Sequence, residues 1–281
     1  MSSLYRSDAG ELRVKTWCRD RLAAWPVPHT TTTLTTSLGD THVLSAGEGE
    51  TVCVYLPGTN FNAATSLGLT RHLAQRCRVV VADLPGQPGL SSSTRPRPET
   101  EGYAAWLKEV VSWVRAHRPA ERLIVAGHSR GAAVAVSGPA DVDSLVLVSP
   151  AGLVDVRVSL PVLRTAVPWV LRPTERRSRA LVELMSGPAA RSDPALAEWL
   201  TLVARDSRTT GAPGALPDEV VSRWTGRPVR VLVGEDDCFF PPDRVGPAAT
   251  DRLGSPVEVL PGLGHLAVEE DPEQVARLML G

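Results

Sequence analysis

The stretch "VAGHSRGAAVAV", residues 125–136, decides the fold of this chain. Residues 123–126 form a short apolar run typical of a buried strand, and residues 131–136 are an alanine-rich segment typical of a helix. Ser129 therefore lies on the turn between a strand and a helix, with a glycine two residues away on either side. A serine at this turn is either a nucleophile held at the end of a strand or a cap that accepts a hydrogen bond from the backbone N–H groups of the helix.

The length and composition indicate a globular chain. Its 281 residues suffice for one large α/β domain or two small ones with a sizeable buried core. Hydrophobic residues make up 43% and charged residues 22%, which is ordinary for a globular protein and argues against disorder. The net charge of −1 gives no strongly basic face, so we expect no nucleic-acid partner.

The sequence predicts a cytoplasmic protein without a membrane partner. Residues 1–25 lack the apolar core and the small-residue cleavage site of a secretory signal. No stretch approaches the roughly 20 apolar residues of a membrane-spanning helix. The four cysteines share no close spacing, and no dense cluster of histidines and carboxylates has metal-ligand spacing, so we expect no metal.

Apolar runs alternate with helical stretches along most of the chain. Residues 11–25 predict a helix, and residues 31–37 and 42–45 predict a β-hairpin. Six further runs predict strands at residues 52–56, 79–82, 123–126, 145–148, 229–233 and 257–260. Most of these runs are apolar at nearly every position, as in strands that are covered on both faces of a parallel sheet. The predicted fold class is α/β, with a mostly parallel, doubly wound sheet flanked by helices.

The alternation stops between residues 152 and 227. This interval contains many prolines and has apolar positions at helical spacing without a convincing strand. It begins after the carboxyl end of one predicted strand and ends before the next, which predicts an inserted helical cap. The predicted organisation is an N-terminal helical extension at residues 1–30, a core at residues 31–151 and 228–281, and a cap at residues 152–227.

Three predicted strands end at side chains suited to nucleophilic catalysis. Ser129 follows one strand, the acidic segment Glu235, Asp236 and Asp237 follows another, and His265 follows the last. The carboxyl ends of parallel strands meet at one edge of the sheet, where ligands bind. A serine hydroxyl needs a base to take its proton, and histidine titrates near neutrality and suits that task. A carboxylate behind the histidine fixes its tautomer and stabilises the imidazolium.

Each of these residues also has a structural explanation. His265 alone fits a hydrogen-bonded core histidine, and Asp237 alone fits a cap of the helix that follows Pro241 and Pro242. Since all three fall at strand ends of one predicted sheet, the nucleophile interpretation of Ser129 is favoured over the capping interpretation.

The segment Gly127-His128-Ser129-Arg130-Gly131 and the chain order serine, acid, histidine resemble the α/β-hydrolase superfamily, whose nucleophile elbow reads Gly-x-Ser-x-Gly. The resemblance runs from about residue 31 to the carboxyl terminus, with the predicted cap in place of a variable insertion. It implies Ser129 as the nucleophile, His265 as the general base and Asp237 as the acid, with Asp236 as the alternative acid and Glu235 facing solvent.

The resemblance also implies an oxyanion hole formed by the backbone N–H groups of Thr59 and Arg130. The chain departs from the common pattern at Pro57, which replaces a histidine, and at Gln87 and Pro88, which stand where a His-Gly or similar pair is usual. We interpret the turn that contains Gln87 as structural.

The expected substrate pocket lies between the loop after residues 52–56, two phenylalanines and the cap. The expected pocket residues are Asn60, Phe61, Asn62, His128, Phe239 and Phe240. The two asparagines bind the substrate or, alternatively, cap their own loop. His128 is expected to point away from the nucleophile and pack beside it. The remaining histidines, His29, His42, His72 and His117, are expected at the surface.

The resemblance implies a hydrolase without a cofactor that cleaves a carboxylic ester, thioester or lactone of a small molecule through an acyl-enzyme. Alternatives with the same triad are acyl transfer, carbon–carbon bond hydrolysis and cyclisation in bacterial secondary metabolism. A third hypothesis is a non-enzymatic binding protein of the same fold. Such a protein normally lacks a triad residue, so the complete set in this sequence disfavours it. Four arginines in the predicted cap have two interpretations, either a site for an anionic substrate, an acyl carrier protein or coenzyme A, or a solvated helix face. They are Arg172, Arg176, Arg177 and Arg179.

Overall fold

An eight-stranded sheet forms the centre of the structure, a computed structural model that describes residues 4–188, 190, 193–208 and 210–281. The strands are β1 (His29–Thr36), β2 (Gly39–Ala46), β3 (Thr51–Leu56), β4 (Arg78–Ala82), β5 (Arg122–His128), β6 (Ser144–Val148), β7 (Val229–Gly234) and β8 (Val257–Leu260). Their order across the sheet is β1-β2-β4-β3-β5-β6-β7-β8. β1 and β2 pair antiparallel, as do β2 and β4, and every pair from β4 to β8 is parallel.

Each predicted strand is present, and the α/β class with a mostly parallel sheet is confirmed. β3 illustrates why these runs are apolar at almost every position. Cys53 and Tyr55 point to one face of the sheet and pack in one core cluster, while Val52 and Val54 point to the other face and pack in a second cluster. A strand with helices on both faces has no solvent side to make polar.

Helices cover both faces of the sheet. They are α1 (Asp8–Ala23), α2 (Leu67–Ala74), α3 (Glu99–His117), α4 (Arg130–Ser137), α5 (Leu160–Leu171), α6 (Glu175–Met185), α7 (Pro194–Asp206), α8 (Asp218–Val221), α9 (Pro242–Leu253), α10 (Ala267–Glu270) and α11 (Pro272–Leu280). Side chains of α2 and α11 join the first cluster, and side chains of α3, α4 and α9 join the second. The apolar residues of α3 recur at helical spacing and are buried.

Helices α5 to α8 lie between β6 and β7 in the chain. We call residues 149–228 the insertion. The N-terminal helix α1 packs against α7 of this insertion, with the Trp17 and Trp199 ring centroids 4.7 Å apart and Arg13 bound to Asp206 through two hydrogen bonds. α1 thereby connects the insertion to the rest of the molecule. The predicted extension and cap also contain residues 1–3, 189, 191, 192 and 209, which lie outside the described residues.

The prediction that His42 lies at the surface is wrong. β2 pairs antiparallel with β4, and this register places His42 beside Asp83 at the end of β4. His42 is buried, and its Nδ1 atom lies 3.1 Å from Oδ2 of Asp83. The other carboxylate oxygen of Asp83 accepts the N–H of Ala63 at 2.7 Å, so the pair helps to hold the loop that follows β3.

Candidate active site

Ser129 occupies a strained turn between β5 and α4. Its backbone has φ +51° and ψ −114°, a conformation that costs a residue with a side chain about 1–3 kcal/mol. The N–H of Ser129 donates to the carbonyl of Val148 on the neighbouring strand β6 at 3.0 Å, which helps to fix the turn. Among the described residues, the Ser129 side chain makes no capping hydrogen bond to α4. The capping interpretation therefore finds no support in the structure.

The two glycines of the turn permit close packing of backbone against backbone. A Cβ atom on Gly131 would overlap the carbonyl oxygen of Leu56 at the end of β3. A Cβ atom on Gly127 would overlap the backbone of Gly131. The pattern Gly-x-Ser-x-Gly thus follows from sterics, because α4 can begin this close to the sheet only where both side chains are absent.

His265 and Asp237 form a buried pair at the ends of β8 and β7. Nδ1 of His265 lies 3.0 and 3.1 Å from the two carboxylate oxygens of Asp237. Oδ1 of Asp237 also accepts the N–H groups of Phe239 and Phe240, each at 2.9 Å. Asp236 is exposed, so the structure places Asp237 and not Asp236 against the histidine.

The environment keeps Asp237 ionised. Burial by itself raises the pKa of this carboxyl, but the charge of His265 and the hydrogen bonds from His265, Phe240 and Phe239 outweigh burial and lower the pKa from 3.8 to about 2. The ionised Asp237 accepts a hydrogen bond from Nδ1–H of His265. This fixes the neutral tautomer in which the proton is on Nδ1 and Nε2 can accept a proton.

Ser129 and His265 line one cavity of about 220 Å³, which we call the central cavity. The part of its wall outside the insertion consists of Thr59, Asn60, Phe61, His128, Ser129, Phe239, Phe240 and His265. The part inside the insertion consists of Val156, Ala166, Trp169, Leu181, Met185, Leu200, Gly211 and Ala212. Apart from the groups near Ser129 the wall is apolar, and five of the six expected pocket residues line it.

The expectation that Asn62 lines the pocket is wrong. Its side chain is buried beneath the loop, where Nδ2 donates to the carbonyl of Pro88 at 3.0 Å and Oδ1 accepts the N–H of Thr65. Asn62 therefore caps the short 3₁₀ turn at Ala63–Thr65, which is the alternative role that the sequence allowed. Asn60, in contrast, lines the central cavity, and its buried side-chain carbonyl oxygen has no hydrogen-bond partner in the described part of the chain.

His128 packs beside His265. Its Nε2–H donates to the backbone carbonyl of His265 at 2.8 Å, and the two ring centroids are 5.1 Å apart. Burial, together with the positive charge of His265, lowers the pKa of His128 from 6.5 to about 3. His128 is therefore neutral at physiological pH, and its hydrogen bond helps to fix the backbone of His265.

The loop after β3 is fixed on both sides at Asn60, next to the predicted oxyanion donor Thr59. The N–H of Asn60 donates to Oε1 of Gln87 at 3.0 Å, and its carbonyl accepts Nε1–H of Trp199 on α7 at 2.7 Å. Asn60 itself has φ +65°. Gln87 thus anchors this loop, in agreement with the structural role expected for its turn.

Sequence reasoning assigned only the backbone of Arg130 and missed the role of its side chain. Arg130 is the first residue of α4, so its N–H has no partner within the helix and remains available at the helix N-terminus. Its buried guanidinium pairs with Glu99 and donates to Thr210 and Gly211 of the insertion, while Nε donates to Oγ1 of Thr59 at 3.3 Å. No pattern in the sequence connects these distant residues.

The arginines of the insertion lie away from the central cavity. Arg177 donates to the backbone carbonyls of Pro168 and Arg172, and Arg179 pairs with Glu175 one turn earlier. These contacts fit the solvated helix face better than a site for a carrier. Within the described ranges, no group of three histidines, cysteines or carboxylates could hold a metal ion, and no helix could cross a membrane.

The comparisons with known proteins agree with this geometry. A sequence model of the alpha/beta hydrolase family matches residues 53–278. An uncharacterized protein of Mycobacterium tuberculosis is 27% identical, with the match covering 81% of this chain and 73% of that protein. Among solved structures, carboxylesterase CesB from Bacillus subtilis superposes with a TM-score of 0.76 at 20% identity, covering 97% of each chain. Naproxen esterase from Bacillus subtilis gives 0.78 at 19% identity and covers 98% of each chain.

The structural likenesses establish a shared fold, and the family match spans most of the chain, including the strained serine turn and the histidine–aspartate pair. The chain is an enzyme of the alpha/beta hydrolase family.

Proposed function

We propose that this enzyme is a serine hydrolase that cleaves a carboxylic ester, thioester or lactone of a small, largely apolar molecule. One observation carries the proposal: a strained serine and a histidine backed by an ionised aspartate line the same cavity. The carboxylesterase names of two structural neighbours add support for ester chemistry.

In the proposed reaction, Oγ of Ser129 attacks the carbonyl carbon while Nε2 of His265 takes the hydroxyl proton. Asp237 stabilises the imidazolium that forms. The tetrahedral oxyanion accepts hydrogen bonds from the backbone N–H groups of Thr59 and Arg130, each worth about 3 kcal/mol in the transition state. The imidazolium returns its proton to the leaving alcohol, and water hydrolyses the acyl-enzyme by the same steps in reverse order.

We propose that the insertion serves as a cap that selects the substrate by size and polarity. Trp169, Leu181, Met185 and Leu200 give it an apolar wall, which disfavours charged groups because they would lose hydration without gaining a partner. A cavity of about 150 Å³ accepts benzene, so about 220 Å³ admits one ring or a short acyl chain. Asn60 offers a donor on the substrate an amide oxygen that has no partner among the described residues.

The proposed substrate is a free small molecule. An acyl carrier or coenzyme A partner rests on the four insertion arginines, and Arg177 and Arg179 already bind within the insertion. None of the four lines the central cavity as the described residues define it.

Hydrolysis of p-nitrophenyl acetate, butyrate and octanoate tests the proposal. We expect turnover by the wild type and its loss in Ser129→Ala. Ser149→Ala is a matched control, because Ser149 is also buried, follows a strand and has a positive φ of 45°, yet lies outside the cavity wall. Equal loss in both variants, or turnover that survives Ser129→Ala, would overturn the proposal. Adding an acceptor alcohol distinguishes hydrolysis, which yields acid alone, from acyl transfer, which yields a new ester.

A further inference from the structure

The exposed apolar side chains of this protein are concentrated on one short segment. Among the described residues, eight large hydrophobic side chains are exposed, and six of them lie between residues 158 and 171. Leu171 is 74% exposed and Leu160 is 57% exposed. Single exposed hydrophobic residues are normal, but a contiguous apolar patch marks an interaction surface.

Helix α5 is apolar on two adjoining faces, one turned to the central cavity and one exposed. At 100° per residue, Val162, Ala166 and Trp169 share its inner face, and Ala166 and Trp169 line the central cavity. The outer face forms a continuous apolar row that we call the outer stripe, consisting of Leu160, Leu163, Val167, Val170 and Leu171. The apolar face of a helix is normally buried, so the outer stripe lacks a partner among the described residues.

The segment that carries the outer stripe has charges of one sign and is bordered by the exposed acidic residues Asp155 and Glu175. Residues 156–174 contain three arginines, Arg157, Arg164 and Arg172, and no acidic residue. All three arginines are exposed, two of them beside the ends of α5 and one within the helix. An apolar row edged by arginines complements an anionic lipid surface, where the row enters the acyl boundary and the guanidinium groups reach the phosphates. A second copy of this chain fits less well, because a two-fold contact through α5 would bring the arginines of both copies together.

We propose that the outer stripe docks this enzyme on an anionic phospholipid surface without any helix crossing it. The inner face of the same helix lines the central cavity, so docking brings that cavity near the lipid. The expectation of no membrane partner came from the absence of a spanning segment, which surface docking does not require. The proposal rests on the exposure and charge of α5 and is independent of the proposed hydrolysis.

Co-sedimentation with vesicles tests the docking. We expect the wild type to sediment with vesicles of phosphatidylcholine mixed with phosphatidylglycerol, and much less with phosphatidylcholine alone or at high salt. The double substitution Leu163→Ser and Val167→Ser should weaken the partitioning about tenfold or more, since it removes two half-exposed apolar side chains from the contact. Arg157→Gln with Arg164→Gln should weaken binding to the mixed vesicles and reduce its salt dependence.

A matched control is the double substitution Leu12→Ser and Val259→Ser, which removes the two large exposed hydrophobic side chains that the described residues contain outside residues 158–171. It should bind vesicles as the wild type does. All variants should hydrolyse soluble p-nitrophenyl acetate at the wild-type rate, so failure of docking is distinguished from failure of the hydrolase proposal. Absence of wild-type binding to anionic vesicles, or equal losses in the stripe and control variants, would overturn the docking. A wild-type dimer that the stripe variant converts to monomer would show that a second copy covers α5.

Discussion

The substitution Trp199→Phe tests whether the insertion positions the oxyanion loop. Trp199 is fully buried on α7, packs against Trp17 with its ring tilted and donates Nε1–H to the carbonyl of Asn60 at 2.7 Å. Asn60 adjoins Thr59, whose N–H is a proposed oxyanion donor. Phenylalanine keeps an aromatic ring at this position but cannot donate, so the loop loses one of its two fixing hydrogen bonds at Asn60.

The expected magnitudes follow from the two roles of this hydrogen bond. Loss of one neutral hydrogen bond lowers the free energy of unfolding by about 1 kcal/mol, and by up to about 3 kcal/mol if the carbonyl remains buried and unpaired. A well-placed oxyanion donor is worth about 3 kcal/mol, so partial misalignment of Thr59 should cost about 1.5 kcal/mol of transition-state stabilisation, or about tenfold in kcat. KM should change little, because Trp199 is not part of the cavity wall.

Trp224→Phe provides the control. Trp224 is also fully buried and donates Nε1–H to a backbone carbonyl, that of Val136, at 2.8 Å, but it lies beneath α4 and away from the cavity. Thermal unfolding and steady-state kinetics on a p-nitrophenyl ester should show similar losses of stability in both variants and a fall in kcat in Trp199→Phe alone. Equal kcat values in the two variants would refute the positioning role of Trp199.

Three further predictions concern the turn, the acid and the cavity. Gly131→Ala should destabilise the fold by more than about 3 kcal/mol in denaturant unfolding, because its Cβ overlaps the Leu56 carbonyl; Gly246→Ala in α9, where nothing lies within 4 Å, should be neutral or stabilising. Asp237→Asn should lower kcat about 10⁴-fold. Because folding depresses the pKa of Asp237, its ionised form stabilises the wild type above about pH 4, so the difference in unfolding free energy between wild type and variant should shrink as pH falls from 3.8 to about 2. Leu181→Trp should narrow the cavity and slow octanoate ester hydrolysis far more than acetate ester hydrolysis, and an unchanged ratio of the two rates would contradict the proposed acyl pocket.

The parts of the site that local sequence could predict are those fixed by local sterics and by strand ends. The glycines around Ser129 are required by backbone contacts of the turn itself, so they leave a pattern readable in five residues. His265 and Asp237 follow apolar runs, and parallel strands bring their carboxyl ends together whatever the details of packing.

The remaining parts depend on contacts between distant segments. His42 was misassigned because its burial follows from antiparallel pairing of β2 with β4, a register that the isolated strands do not specify. The insertion contributes half of the cavity wall, including Trp169 and Met185, but the docking of its helices is set by tertiary packing. The two asparagines after β3 have different roles, since Asn60 lines the cavity and Asn62 caps the loop. The backbone conformation of the loop decides which of the two side chains faces the cavity.

The most direct test of the account is intact-mass analysis after treatment with a fluorophosphonate, followed by peptide mapping. An activated nucleophile predicts one phosphonyl adduct per chain, located on Ser129, absent from Ser129→Ala and formed much more slowly in His265→Ala. An adduct on another residue, or no adduct on folded wild-type protein that circular dichroism shows to be intact, would contradict the assignment of Ser129 as the catalytic nucleophile.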